Sequence, residues 1–462
     1  MTFDAAIAAN RFGLGARPGE LSAIGQDARD WLARQVEGPR PTPEAVRGLP
    51  SSAKMFATFV KGQQARREQR QDEAAIAQNA VQNIRKQLVP LYLDQIVARY
   101  ATATRSEESF RERLVHFWTN HFAISADKPQ VLALAGTLEN EVIRPALAGS
   151  FADLLLAVEA HPAMILYLDN QASIGPNSQL AMKAQRRARG RKLDINENLA
   201  REILELHTLG VSGYTQTDVT TFAQVLTGWS VGGGRGPLAQ GEPGKFVFRE
   251  LAHEPGAKTV LGKRYTDDGI GQARAVLHDL ARHPSTATHI ATKLVRHFVA
   301  DEPPADAVAR VAQAFIASAG DLPSVHRSLI DLRESWQPTP AKFKTPHEYV
   351  VSVFRAVNFV PGKPQQVAAP FELLGQRPYS PGSPAGWPDT AAQWDGPDAL
   401  LKRIEWASQV GERIGVRVNP LYLADQSLGA ALTEHTRTAV ARSADTSQGL
   451  TLLLSSPEFL RR

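Results

Sequence analysis

Residues 194–229 read DINENLAREILELHTLGVSGYTQTDVTTFAQVLTGW, and the spacing within them decides the fold class. Leu199, Ile203 and Leu206 recur at helical intervals behind Asn196, a residue type that caps helix N-termini. Glu197 falls in the first turn, where the backbone dipole favours an acid, and Gly210 follows the last periodic residue and predicts the stop. A second helix opens at Thr215, three residues before Asp218 in capping-box spacing. It carries Val219, Phe222, Ala223 and Leu226 on one face and ends at Gly228.

The same punctuation recurs outward in both directions. From Ser106, Phe110, Leu114, Phe117, Trp118 and His121 trace one helical face, with Glu107 and Glu108 expected in the first turn. Helices are expected at about 130–148, 150–160 and 161–169, again from 268 to 359, and on to the C-terminus. Residues 52–100 read as a long helical stretch or pair whose middle, KGQQARREQRQD at 61–72, must face water or protrude. Strand signals are confined to KFVFR (245–249) and KTVL (258–261), read as one hairpin joined by ELAHEPGA within an insertion at about 232–265. A Pro-, Gly- and Trp-rich segment, 375–396, is too apolar for a linker and is expected to wrap the body. The reading is a mainly α, large multi-helix globular protein with one small β-hairpin insertion, a single helical domain over 1–462.

Composition narrows the chemistry. With 43% apolar residues the 462-residue chain can bury a large core, so a disordered protein is excluded. It contains no cysteine, which removes disulfides, thiolate metal sites and thiol nucleophiles. No apolar run approaches membrane-span length, and Met-Thr-Phe-Asp at the start lacks a basic region followed by an apolar one. The expected location is cytoplasmic, with the periplasm as the alternative. Net charge is +5, a mild excess, but 38 arginines stand against 14 lysines, which points to planar, bidentate partners. The densest cluster spans Lys183–Lys192. There Arg186, Arg187 and Arg189 form either a solvated loop or a clamp for phosphate, sulfate or carboxylate.

No G-x-S-x-G elbow, H-E-x-x-H pair or Walker loop occurs, and the glycines of residues 13–19 read as a turn rather than a nucleotide site. Asn198, Glu202 and Glu205 fall within about 60° on a 100° helical wheel, a polar stripe beside the apolar arc. Two carboxylates one turn apart can bind a cation, clamp a guanidinium or raise one pKa for acid–base work. Arg201, four residues before Glu205, offers the plainer alternative of an ion-pair ladder. His207 lies on the far side of that wheel, so any metal site would recruit ligands from other helices. His116 and His121 sit about 140° apart and cannot chelate one ion together, whereas His116 and Asn120 share a face. His253, in the expected hairpin turn beside Glu254 and Lys258, is placed where loops carry sites. Trp229, Trp387 and Trp394 border loops and could rim a pocket.

Several motifs carry a resemblance. NRFGLG (10–15), HFWTNHF (116–122), LDNQASIGPNS (168–178), NENLAREILELHTLGVSGYTQTDV (196–219) and LTGW (226–229) all contribute. So do HEPGAKTVLG (253–262), HPSTATHIATKLVRHFV (283–299) and GWPD (386–389). Together they resemble the bacterial family of domain of unknown function 1800 (DUF1800) over nearly the whole chain. The resemblance implies a mostly α-helical fold. It also implies a partner of the alkaline phosphatase/sulfatase-like family encoded nearby, but no established activity or catalytic set. The family's turn motif reads His-Asp where this chain has His253-Glu254, one methylene longer.

The functional expectation is an enzyme, a metal-dependent hydrolase or transferase acting on an anionic or carbohydrate-like substrate with a divalent metal as cofactor. Glu202, Glu205 and His207 are its candidate catalytic residues. Asn198, Arg201, Arg186, Arg187, Arg189, His121 and His253 are its candidate substrate contacts. The alternative is a non-enzymatic binding or assembly protein working with the neighbouring partner. Nucleic-acid binding ranks last, because the basic cluster lacks interleaved aromatics.

Overall fold

The computed structural model describes residues 2–69, 74–186, 194–233 and 240–462, except for the side chains within 62–85 and that of Arg186. Among these residues the chain is mainly α-helical, with two small antiparallel sheets on the helical body. No helix among the described residues is long and apolar enough to cross a membrane. The 52–100 segment is a pair of packed helices, α1 (Ser52–Gln69) and α2 (Ala74–Arg105). The side chains of most of its polar middle lie outside the described residues.

Helix α3 (Ser109–His121) is the centre of the body. One buried face was expected, yet residues 109–118 and His121 are all buried. Its charged side chains tolerate this because they are paired inside the protein. Glu112 takes both arms of Arg144 at 2.6 and 2.8 Å, and Arg113 pairs with Glu348 and donates to the Gly13 carbonyl at 2.7 Å. Glu107 and Glu108 precede the helix instead of filling its first turn, where Glu112 stands.

Helix α4 (Asn198–Glu202) runs on into a π-helical turn, Ile203–Thr208. Its N-cap is Glu197 and not Asn196, whose Oδ1 instead accepts the Asn198 N–H at 2.9 Å. The i→i+5 bonds widen the turn, so a wheel drawn at 100° per residue fails beyond Ile203. Helix α5 (Gln216–Val225) starts as its sequence indicates, with both bonds of the Thr215–Asp218 capping box formed.

The strands pair differently from the single hairpin expected. Strand β1 (Trp229–Val231) pairs with β2 (Phe246–Phe248), and β3 (Lys258–Val260) pairs with β4 (Lys263–Tyr265). KTVL turns back on its own following residues because Leu261 and Gly262 both take positive φ, +48° and +75°. That is the geometry of a two-residue hairpin turn. ELAHEPGA, by contrast, contains a short 3₁₀ turn, Glu250–Ala252, and connects the two sheets.

Two further helices frame the site. Helix α6 (Pro284–Phe298) buries Ala287, Ile290, Ala291, Leu294 and Phe298 on one face. That periodicity leaves His289, Lys293, Arg296 and His297 along the adjacent stripe. Helix α7 (Pro346–Ala356) begins with a second capping box, Thr345–Glu348, and is buried over most of its length. Near its end Arg355 donates to the carbonyls of Ala103 and Ser106, both at 2.9 Å, where α2 exposes acceptors without helical partners. The same guanidinium reaches the Gly15 carbonyl at 2.6 Å and Glu20 at 2.8 Å, so it staples the end of NRFGLG, beyond its π-helical turn Ala8–Phe12, to the core.

Candidate functional site

Helices α3 and α6, the start of α7 and the 376–390 part of the Pro/Gly/Trp segment enclose a cavity of about 520 Å³. The loop is fixed there by Asn120, which accepts the Trp387 N–H at 2.8 Å and donates to its carbonyl at 2.9 Å. Gly386 next to it has φ of +84°, and a Cβ there would lie 2.3 Å from the Asn120 carbonyl oxygen. Only glycine fits this contact.

Five cationic side chains line the cavity, Arg99, Arg113, Lys293, Arg296 and Arg377, against three carboxylates, Asp301, Glu348 and Asp389. Each carboxylate is already committed. Glu348 takes Arg113, Arg462 at 2.8 Å and the Thr345 N–H at 2.8 Å. Burial opposes its ionisation, but the two guanidiniums outweigh burial and hold its carboxyl well below the usual range. Asp389 accepts His297 Nδ1–H at 2.7 Å, and Lys342 sits between Asp301 and Asp389. Against the cost of burial, those neighbours keep the Asp389 pKa at about 2. Arg99 pairs with Glu139, and Arg377 with Asp127 at 3.2 Å. Two cations remain. Arg296 makes only a 3.3 Å bond to the Asp301 carbonyl, and Lys293 has no hydrogen bond or ion pair with any described residue.

The histidines of the cavity are neutral. Burial, and then nearby Arg99, depress His116 and His347 far below the ordinary imidazole value. They form a chain in which Tyr100 Oη meets His347 Nδ1 at 3.0 Å and His347 Nε2 meets His116 Nδ1 at 2.8 Å. His297 is held between Asp389 and the Arg113 Nε–H, 3.1 Å from its Nε2. The π-turn orients His121, which donates to the His207 carbonyl at 3.3 Å, and, outside the cavity lining, His289, which donates Nε2–H to the Leu206 carbonyl at 3.0 Å. With Nε2 as the donor, His121 Nδ1 keeps a lone pair that is buried without a partner. Burial, with Lys293 adding to it, keeps that ring unprotonated.

The residues singled out from sequence are not gathered in one place. Of the candidate catalytic and substrate-contact residues, His121 alone lines this cavity, joined there by His116, Asn120 and the loop residue Trp387. Asn198 is exposed, and Arg201 pairs backwards with Glu197 at 3.0 Å instead of forwards with Glu205. Glu202 is half-buried, and burial foremost raises its carboxyl; Glu205 accepts the Tyr214 hydroxyl at 3.0 Å. His207 is in the core, its Nδ1 2.8 Å from Glu159. His253 is buried and not in a solvated turn, its Nδ1 2.9 Å from the Thr227 carbonyl, and Glu254 accepts the Asn177 N–H at 2.8 Å. These contacts tie three of the quoted motifs into a packing knot. Arg187, Arg189 and the side chain of Arg186 lie outside the described residues. Among the described residues no group of three His, Asp or Glu is arranged to hold a metal ion.

Sequence reading passed over Lys293, Arg296, His297, Arg99, Arg113, His347, Glu348 and Asp389 as site residues. Two signals were present. His289, Lys293 and His297 recur at i, i+4 and i+8, one face of a helix, and TPHE at 345–348 is a capping box with proline at its first helical position. HFWTNHF, HPSTATHIATKLVRHFV and GWPD, far apart in sequence, meet at this cavity.

No curated protein and no solved structure matches the chain. The family described as Protein of unknown function (DUF1800) matches residues 7–461, and with its motifs converging on one cavity, the chain belongs to that family.

Proposed function

We propose that this protein is an enzyme that binds a small anionic substrate in the central cavity, against Lys293 and Arg296, and moves protons through its neutral histidines. One observation carries the reading: every carboxylate of the cavity is engaged, while these two cations are left without a carboxylate among the described residues. An incoming anion supplies what they lack, in a site where low polarity strengthens the attraction. His121 supports acid–base work because it lines the cavity and its Nδ1 is an unprotonated acceptor without a partner. Glu202 and Glu205 lie elsewhere, so the reading keeps the anionic substrate of the sequence expectation and draws nothing from a metal.

Isothermal titration with sulfate, phosphate, pyruvate and succinate tests it. At pH 7 at least one of them binds with one-to-one stoichiometry, and Arg296→Ala or Lys293→Gln weakens it about tenfold or more, the scale of a charge-assisted bond. Burial brings the Lys293 ammonium down to about 8, so affinity for the anion falls as pH rises through that value. Absence of binding by all four anions, or binding unchanged in both variants, rejects the reading.

A further inference from the structure

Lys293 differs from the other inward lysines. Lys258 donates to three carbonyls between 2.7 and 3.1 Å, and Lys342 is held by Asp301 and Asp389. Lys344 lies over the Phe459 ring at 4.6 Å and does not line the cavity. Lys293 alone among these four sits half-buried on the cavity wall with its amine uncommitted, one turn before Arg296 and close enough to His121, which lines the same cavity, for its charge to act on that ring. A lysine held in a desolvated pocket next to a second cation is the arrangement that yields a nucleophilic amine.

We propose that Lys293 condenses with the carbonyl carbon of a small oxo-carboxylate whose carboxylate is held by Arg296. The proposal rests on the anion reading above and names its substrate class. In the step, the Nζ lone pair attacks the carbonyl carbon and the C=O π pair moves to oxygen. His121 Nδ1 takes a proton from the new ammonium and returns it to the carbinolamine oxygen. That oxygen leaves as water once protonated a second time from solvent, and a protonated imine joins Nζ to the substrate carbon. No oxidant or reductant is consumed. Burial supplies the reactive form, since it lowers the amine to about 8, with Asp389 opposing and Arg296 adding to the effect. At pH 7 the unprotonated fraction then exceeds that of an ordinary surface lysine on the order of a hundredfold.

The test uses the full chain with pyruvate or glyoxylate and cyanoborohydride at pH 7, followed by peptide mass mapping. Hydride from the reagent reduces the imine to a stable secondary amine, which adds one carboxyalkyl group to the modified lysine. The expected result is modification of Lys293 at least tenfold faster than of exposed Lys363, suppressed by excess sulfate. In Lys293→Arg, which keeps the positive charge, labelling at that position disappears while sulfate still binds. The wild-type map decides the matter even if that variant fails to fold. Pyruvate that binds in calorimetry and depends on Arg296, with Lys293 labelled no faster than Lys363, overturns the imine and leaves the anion reading standing. No anion binding and no selective labelling overturns both.

Discussion

At the residue scale, several of the arginines are spent inside the protein. Arg11, Arg113, Arg355 and Arg403 are buried, and their guanidiniums are spent on backbone carbonyls or carboxylates of the protein itself. The five donors of the planar fork suit this, because a single side chain can satisfy several loop carbonyls that water cannot reach. Glu348 is the counterpart. It is the third residue of a capping box and the acceptor for two buried guanidiniums, Arg113 and Arg462. Glu348→Gln removes the charge while keeping the shape, and leaves both cations uncompensated. We expect it to cost about 3–5 kcal/mol in urea denaturation, the scale for breaking a buried pair. A loss under about 1 kcal/mol would show that the two arginines find other partners.

At the element scale, the site depends on segments that contribute geometry more than chemistry. The π-turn 203–208 offers the carbonyls of Leu206 and His207 to two imidazoles and so fixes which nitrogen of each carries the proton. Residues 376–390 of the Pro/Gly/Trp segment form the opposite wall and are pinned at one close contact. Gly386→Ala adds a methyl 2.3 Å from the Asn120 carbonyl at a φ of +84°. The loop must lift to accommodate it. The expected outcome is about 1–3 kcal/mol of destabilisation, and faster hydrogen exchange at the Trp387 amide in the variant than in the wild type, with the amides of α3 unchanged. Equal protection in both proteins would mean that the loop is held by other contacts.

At the scale of the whole molecule, the buried histidines set the response to acid. His289 is lowered to about 4 and His326 to about 3, in each case chiefly by burial, while His116, His121 and His347 lie well below the ordinary value. Depressed in the folded state, they remain neutral there while the unfolded chain takes up protons below its own value of about 6.5. Their stabilising contribution is therefore complete above pH about 6.5 and is lost as pH falls towards the folded values. Each costs up to about 1.4 kcal/mol per pH unit across that window. Unfolding free energy should drop by several kcal/mol between pH 7 and pH 5, well above the window in which Asp389, at about 2, gives up its own contribution. A flat urea midpoint over that range would contradict the assignment of neutral imidazoles.

The helical class, the capping box at Thr215 and the stop at Gly210 were legible in the chain, because each is set by periodicity and turn chemistry within a few residues. Strand partners were less so: KTVL found its mate across the two-residue turn at Leu261–Gly262, which the alternating pattern alone did not distinguish from the longer connection. The wheel drawn through Glu202, Glu205 and His207 lost its meaning at a π-turn, a rearrangement of backbone bonds that side-chain spacing does not encode. The cavity itself was a tertiary decision. Lys293, Arg296 and His297 look like the polar edge of one helix until Asp389, Glu348 and Asn120 arrive from distant parts of the chain. Whether a charge is spent or left available depends on which opposite charge folding brings within hydrogen-bond reach, and local sequence carries no record of that pairing.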